Sequence, residues 1–213
     1  MSAFELVGIA AWSFAVAVGG GAVGLVLGNL RLPLFLLAAS SPAAAGGANI
    51  AVSGISAATA STTHIRAGRI NWRLFGWMAP PSVAGALAGG YLAGVVSDSA
   101  VLGAIVGLLG GFVGLILGSL RMPALLRWVG ETPSKAVGTN LAVGVFVGIA
   151  GLLGHLPSAA PDWHLIAVGG AASIPGALIG ARLTGRLSDR ALVQAIGAVL
   201  LVAGTAAGIQ AFV

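Results

Sequence analysis

The chain has 213 residues, of which 58% are hydrophobic and 7% charged, with a formal net charge of +5 and no cysteine. A soluble domain carries about 25% charged residues, so we infer that the solvent of this short, apolar chain is lipid. The lack of cysteine excludes thiol chemistry, and basic residues spread along the chain argue against a nucleic-acid partner.

Seven apolar segments are long enough to cross a bilayer, which takes about 20 mostly apolar residues. In chain order they cover 4–28, 44–63, 74–96, 100–120, 136–154, 163–181 and 191–212. No basic stretch precedes the first segment, so we expect it to be a retained span and not a cleaved signal. The sequence therefore predicts an all-α membrane protein, a polytopic bundle of about seven transmembrane helices.

Basic residues predict how these spans are oriented, because cytoplasmic loops carry an excess of Lys and Arg. Nine of the ten basic residues fall on alternate connections, those after the second, fourth and sixth spans. They are Arg66, Arg69, Arg73, Arg121, Arg127, Lys135, Arg182, Arg186 and Arg190. We therefore predict a multi-pass protein of the cell inner (plasma) membrane, with a cytoplasmic N-terminus and the C-terminus outside.

The chain contains two copies of one unit. The segment 24–33, GLVLGNLRLP, recurs as 114–123, GLILGSLRMP, at an offset of 90 residues. From Pro42 onward the offset is 91, and it pairs Pro with Pro, Asn with Asn, His with His and Trp with Trp. These pairs are Pro42 and Pro133, Asn49 and Asn140, His64 and His155, and Trp72 and Trp163. Because each unit holds three spans, an odd number, the second copy must be inverted.

The repeat divides a single transmembrane domain into repeat A, 1–97, repeat B, 98–188, and an extra C-terminal helix, 189–213. Inverted repeats of this kind recur in secondary transporters, where two related halves open a central site to one side and then the other. The alternative interpretation is that duplication only builds a helical bundle.

The segments after the first and fourth spans interrupt the helical pattern. Pro33 and Pro123 are expected to break a helix, which leaves 34–41 and 124–132 as candidate re-entrant stretches. Before the first break, Gly20, Gly24 and Gly28 recur every four residues, as do their partners at 110, 114 and 118. That spacing predicts one closely packed helix face.

Small and polar residues follow both interruptions. Gly47 and Asn49 are predicted in the first turns of span two, and Gly138, Thr139 and Asn140 in those of span five. Free N–H groups at a helix N-terminus favour anions, so these residues are candidates for substrate binding. The same residue types also cap helices, and that alternative stays open.

Two pairs of charged or titratable side chains accompany these motifs. Arg31 and Arg121 precede the paired prolines and are candidate anion ligands, with a lipid-headgroup contact as the alternative for Arg31. His64 and His155 end spans two and five on opposite sides. They are candidates for gating or proton relay, or for ordinary interfacial side chains.

Other chemistries find no support in the sequence. There is no nucleophile–base arrangement, metal cluster or phosphate loop, so we expect no enzyme activity, no cofactor and no metal site. No Asp or Glu lies in the middle of a span, which weakens the case for strong cation coupling. The expected partners are a small anionic substrate and the lipid bilayer, and a homo-oligomer is compatible with the sequence.

Several motifs resemble those of the TauE/SafE family of sulfite and organosulfonate exporters. The segment 130–140, GETPSKAVGTN, is similar to the family pattern Gly-x-x-Pro-x-x-Ala-x-Gly-Thr-Ser/Asn. The segments 70–73 and 162–163 resemble its Val-Asp-Trp element, and 176–183 resembles its Gly-x-x-x-Gly-Ala-x-Leu element. The first Gly-Thr motif departs from the pattern, since it reads Gly47-Ala48-Asn49.

This resemblance implies export of a small sulfur-containing anion of the sulfite, sulfonate or sulfoacetate type, by alternating access between the repeats. An anion channel on the same scaffold and a non-transporting assembly or sensor protein remain the alternatives.

Overall fold

The protein is all-α in the computed structural model, which describes residues 2–95, 121–157 and 160–210. The helices are α1 (Ala3–Val23), α2 (Gly28–Ala38), α3 (Pro42–Arg66), α4 (Trp72–Val95), α5 (Pro133–His155), α6 (Trp163–Thr184) and α7 (Asp189–Gln210). Residues 121–127 are also helical, and these described ranges contain no strand. The predicted fold class is confirmed at this level.

Six of the seven predicted spans correspond to α1 and α3–α7, and the span predicted at 100–120 lies outside the described residues. Four helices are long and apolar enough to cross a membrane, namely α1, α5, α6 and the 189–206 part of α7. The helices α3 and α4 are as long but less apolar. The structure therefore supports a helical membrane protein, and the count of seven crossings stays a prediction.

Proline sets the starts of α3 and α5. Pro42 and Pro133 each occupy the beginning of a helix, where a missing N–H breaks no hydrogen bond. Ser41 caps α3, because its hydroxyl accepts from the backbone N–H of Ala44 at 3.1 Å. Both helices therefore begin two or three residues before the predicted spans.

These early starts correct the predicted position of the candidate binding motifs. Gly47 and Asn49 are the sixth and eighth residues of α3, and Gly138 and Asn140 hold the same places in α5. Only the first four N–H groups of a helix lack an internal partner. The motifs therefore lie deeper in their helices than predicted, beyond the free N–H groups, and their role in substrate binding stays a prediction.

The chain first breaks at Gly24, not at Pro33. Gly24 has φ 75°, a left-handed conformation that costs glycine little, and its N–H donates to the carbonyl of Gly20. The next helix, α2, begins at Gly28 and contains Pro33. Because Gly24 and Gly28 lie outside α1, the prediction that the glycines share one helix face is also wrong.

The proposed re-entrant stretches are largely helical. Residues 34–38 belong to α2 and 124–127 to the segment 121–127, which contains Pro123. Non-helical backbone is confined to 39–41 and 128–132. The glycines at 110, 114 and 118 lie outside the described residues.

The first two helices form an antiparallel hairpin. The indole N–H of Trp12 donates to the carbonyl of Leu30 at 2.8 Å, and the side chain of Leu27 approaches Gly19. After α1 the chain therefore turns back along its own path, and α2 leads it to the start of α3.

This hairpin changes the predicted placement of the N-terminus. The helices α1 and α6 are parallel, because Ser173 Oγ donates to the carbonyl of Ser13 and Thr184 Oγ1 donates to the carbonyl of Ala22. Arg69, which follows α3, donates to a carbonyl of the last turn of α6. The end of the bundle that holds Arg69 and the end of α6 is called the arginine end below.

The start of α1 therefore lies at the end of the bundle opposite the arginine end, whereas the sequence placed both on the cytoplasmic side. The discrepancy arises because the prediction counted a single crossing before α3, whereas α2 runs back along α1. This reversal changes the number of times the chain changes direction between the N-terminus and α3 from odd to even, or the reverse. Which end faces the cytoplasm stays a prediction.

The helices α3 and α5 cross antiparallel at two glycines. A Cβ on Gly148 would lie 2.7 Å from Gly54 Cα, so backbone packs on backbone here. At one end of this pair the ring of His155 packs on Gly47, and at the other end His64 packs on Gly138. The two end contacts are related by the 91-residue offset of the repeat.

Replacing Gly148 with alanine is expected to lower the free energy of unfolding by about 2 kcal/mol, because the new methyl group meets backbone that cannot move aside. Gly54→Ala is the matched control, since its Cβ would lie 3.5 Å from Gly148 Cα, an ordinary contact. Thermal unfolding in detergent, followed by tryptophan fluorescence, measures both variants. Equal effects would contradict the asymmetry of the crossing.

Candidate functional site

Arg31 is the most unusual side chain of the described protein. It lies in α2 with 2% of its surface exposed, and its Nε and Nη1 groups have no hydrogen-bond partner among the described residues. The guanidinium lies 6.0 Å from the ring centroid of Phe35, at the limit of a cation–π contact. A buried, uncompensated charge costs several kcal/mol, so this position calls for a ligand that supplies negative charge.

Arg31 lines a small cavity near the middle of the bundle. The cavity has a volume of about 10 Å³ and is bounded by α1, the Gly24 break, α3 and α5. Its other polar side chains are Ser53 and Ser56, and the hydroxyl of Ser56 has no hydrogen-bond partner. The remaining lining is apolar or glycine, with no acidic residue among the described side chains. Arg31 and two hydroxyl groups are donors suited to an oxyanion.

The cavity is small in this conformation. Its volume is about that of one water-sized sphere. An oxyanion of several heavy atoms would fit only after the surrounding helices separate. The arrangement is therefore a compact set of donors that is too small for an oxyanion as it stands.

Arg121, the repeat partner of Arg31, has two hydrogen-bond partners within the protein. Its Nη1 donates to Asn140 Oδ1 at 3.2 Å and its Nη2 donates to Ser82 Oγ at 3.4 Å. Asn140 in turn donates to the carbonyl of Gly24 at 2.6 Å. The structure thus brings two predicted site residues, Arg121 and Asn140, into contact. It also joins them to the break after α1, which belongs to repeat A.

Asn49 lies one helical turn from Ser53, beside the start of α2. Its Nδ2 atom lies 2.9 Å from the position a Cβ would take on Gly28, so a side chain there would displace the Asn49 amide. The side-chain oxygen of Asn49 is buried and has no hydrogen-bond partner among the described residues. Asn49 is therefore near the Arg31 cavity and has an unused acceptor.

Thr139 and Gly138 contact a connection of the chain and not the cavity. The hydroxyl of Thr139 accepts from the backbone N–H of Asn71 at 2.9 Å, and a side chain on Gly138 would clash with the carbonyl of Arg69. Asn71 also donates to Glu131. These contacts fasten the α3–α4 connection to the start of α5 at the arginine end.

The two histidines lie at opposite ends of the α3–α5 pair, and both are buried. His155 Nε2 lies 2.8 Å from the carbonyl of Ala43, whereas both ring nitrogens of His64 lack a partner within the described structure. Their exposed fractions, 6% for His155 and 0% for His64, show that both rings are covered by other residues of the protein, and their role in gating or proton relay stays a prediction. Gly47 packs on the ring of His155 and therefore contributes close packing.

Sequence reasoning missed Ser53, Ser56 and Ser82. A signal for the first two exists, because Asn49, Ser53 and Ser56 are spaced i, i+4 and i+7 and so share one face of α3. Ser82 had no such signal, since it contacts Arg121 only through packing of distant helices. In the described ranges, no group of three or more His, Asp or Glu side chains could hold a metal ion.

Comparison with protein families gives one match. The model of the family described as sulfite exporter TauE/SafE matches residues 9–102 and 97–207, which together cover most of the chain. No match was found among curated proteins or among solved structures.

Proposed function

The chain belongs to the sulfite exporter TauE/SafE family of membrane transporters, and on this basis we propose that it exports a small sulfur-containing anion of the sulfite, sulfonate or sulfoacetate type by alternating access. The proposed location is the cell inner membrane, with the arginine end facing the cytoplasm. The binding site is the cavity of Arg31, Ser53 and Ser56.

The observation that carries this proposal is the buried Arg31 guanidinium, two nitrogen atoms of which, Nε and Nη1, have no partner among the described residues. Charged side chains inside membrane proteins are costly and commonly mark ion or substrate pathways. The adjacent hydroxyl groups of Ser53 and Ser56 add neutral donors. An oxyanion would neutralise the charge and accept from both kinds of group.

Related contacts at both ends of α3 and α5 support alternating access. His155 packs on Gly47 and His64 packs on Gly138, and these two contacts exchange under the repeat. The family match falls in two segments that meet at 97–102, where the sequence divides repeat A from repeat B. A transporter built from inverted repeats can exchange the roles of its halves to open on either side.

The membrane potential favours outward movement of an anion. Each elementary charge contributes about 2.3 kcal/mol per 100 mV, so a dianion leaving a cell that is negative inside gains roughly 4.6 kcal/mol. That free energy sustains a concentration ratio of about 10³. Export could therefore proceed without a coupling ion, in agreement with the lack of acidic residues in the middle of the predicted spans.

The proposal is tested with purified protein in liposomes loaded with labelled sulfite, a sulfonate or sulfoacetate. An imposed potential, negative inside, should drive efflux that saturates with anion concentration, and reversing the potential should slow it. Flux no greater than in protein-free liposomes for every anion would contradict export. Single-channel currents without saturation would instead favour the anion channel, and Arg31→Met, Ser53→Ala and Ser56→Ala variants with unchanged flux would contradict the proposed site.

A further inference from the structure

The two arginines related by the repeat are in different states. Arg121 is held by hydrogen bonds to Asn140 and Ser82, whereas Arg31 Nε and Nη1 have no partner among the described residues. We call the contact of Arg121 with Asn140 and Ser82 the arginine lock. The lock orients Arg121 toward acceptors of the protein, whereas no described acceptor orients Arg31 in this conformation.

The chain contains the residues for an equivalent lock around Arg31, one in each repeat. At the 91-residue offset, Asn49 of repeat A corresponds to Asn140 and Ser173 of repeat B corresponds to Ser82. In this conformation Asn49 Oδ1 is buried without a partner among the described residues, and Ser173 Oγ donates to the carbonyl of Ser13 instead of accepting from Arg31. The acceptors for Arg31 are therefore present but not engaged.

We propose that the two arginine locks alternate during transport. In the present conformation the Arg121 lock is closed and Arg31 is available to the anion; in the opposite conformation Arg31 is held by Asn49 and Ser173, and Arg121 is available. This inference rests on the proposed function, since it assigns a regulatory contact to the same anion site.

Alternation follows from the cost of buried charge. If both locks were open, the buried Arg31 and the partly buried Arg121 would both need an anion, and if both were closed, neither would be free to bind one. One closed lock in each conformation keeps a single donor set available. Both locks consist of an arginine, an asparagine and a serine, so exchanging one for the other replaces a set of hydrogen bonds with an equivalent set. The two conformations can therefore have similar free energies, which a repeated transport cycle requires.

The lock is coupled to closure at the arginine end. Asn140 donates to the carbonyl of Gly24, and the neighbouring Thr139 accepts from Asn71 in the α3–α4 connection. The closed Arg121 lock therefore accompanies a short distance between that connection and the start of α5. In the opposite conformation this distance should be longer.

The test uses spin labels on cysteines at Ala67 and Lys135, two exposed positions at the arginine end. The chain has no native cysteine, so no other site takes the label. Pulsed electron resonance then gives the ratio of short to long distances in the full-length protein in lipid nanodiscs. Asn140→Ala and Asn49→Ala are a matched pair of variants, one on each lock.

Asn140→Ala removes the closed lock and should lower the short-to-long ratio about tenfold, as for loss of one hydrogen bond to a charged group. Asn49→Ala weakens only the opposite conformation and should raise the ratio by a similar factor. Shifts in the same direction, or no shift in Asn49→Ala, would overturn alternation. If Asn140→Ala does not yield folded protein, Ser82→Ala replaces it with the same expected direction.

Failure of alternation is distinguishable from failure of the proposed function. Anion flux that depends on Arg31, together with shifts that are not opposite, overturns alternation and leaves the exporter in place. Opposite shifts without flux of any sulfur-containing anion support alternation and overturn the substrate assignment.

Discussion

Replacing Arg31 with methionine is expected to lower anion flux at least about 100-fold while leaving the protein as stable as the wild type or more stable. The loss of flux follows from two charge-assisted hydrogen bonds to the anion, each contributing about 1.5–3 kcal/mol. The gain in stability follows because this charge is buried without a partner among the described residues, and an apolar side chain of similar length removes that cost.

Arg121→Met is the matched control for this opposite behaviour. It leaves Asn140 Oδ1 and Ser82 Oγ without their donor, so its midpoint of thermal unfolding should fall, while that of Arg31→Met should be unchanged or higher. Added sulfite should raise the midpoint of the wild type and not that of Arg31→Met. A strongly destabilised Arg31→Met protein would show that Arg31 is structural, and the assignment of the anion site would fail.

Gly138→Ala is expected to destabilise the protein by about 3 kcal/mol, far more than the same change at its repeat partner Gly47. A methyl group on Gly138 would overlap the backbone carbonyl of Arg69. The backbone of Arg69 is fixed in turn by a hydrogen bond, in which its N–H donates to the carbonyl of His64. Neither backbone group can move without opening the α3–α4 connection. The cost is that of overpacking against a rigid neighbour.

Gly47→Ala meets a softer obstacle. Its methyl group would lie 2.8 Å from the ring of His155 and 3.0 Å from Pro161 Cβ, and the ring can rotate away at a cost of about 1 kcal/mol. The midpoints of thermal unfolding in detergent measure how strongly each variant is destabilised, and that of Gly138→Ala should be the lower. Similar midpoints for the two variants would mean that the two ends of the α3–α5 pair are equally adaptable.

The helices could largely be predicted from the sequence, because long apolar runs and paired prolines identify α3, α5 and α6 to within three residues. The break after α1 was misplaced because proline is the more familiar helix breaker. Gly24 ends α1 nine residues earlier through its left-handed backbone. That error carried over to the position of the N-terminus. The side on which the N-terminus lies depends on whether 24–38 continues in the direction of α1 or runs back along it.

Arg31 was identified as a candidate from the sequence alone, through its position beside a repeated proline. Its lack of partners was not predictable, because burial of a guanidinium depends on how α1, α3 and α5 enclose it. The same limit applies to Thr139 and Gly138. Their motif is the most specific in the chain, yet in this conformation both residues contact the α3–α4 connection.

The glycine crossing of α3 and α5 has a mechanical consequence. Gly54 and Gly148 bring two backbones together without interlocking side chains, so relative rotation there disengages no packed side chain. Each crossing residue lies about 10 Å from one end contact and about 15 Å from the other, at 1.5 Å per residue. A tilt of α3 relative to α5 by about 10° would therefore shift the two ends by roughly 2–3 Å in opposite directions. The glycine crossing would then be the pivot of this motion.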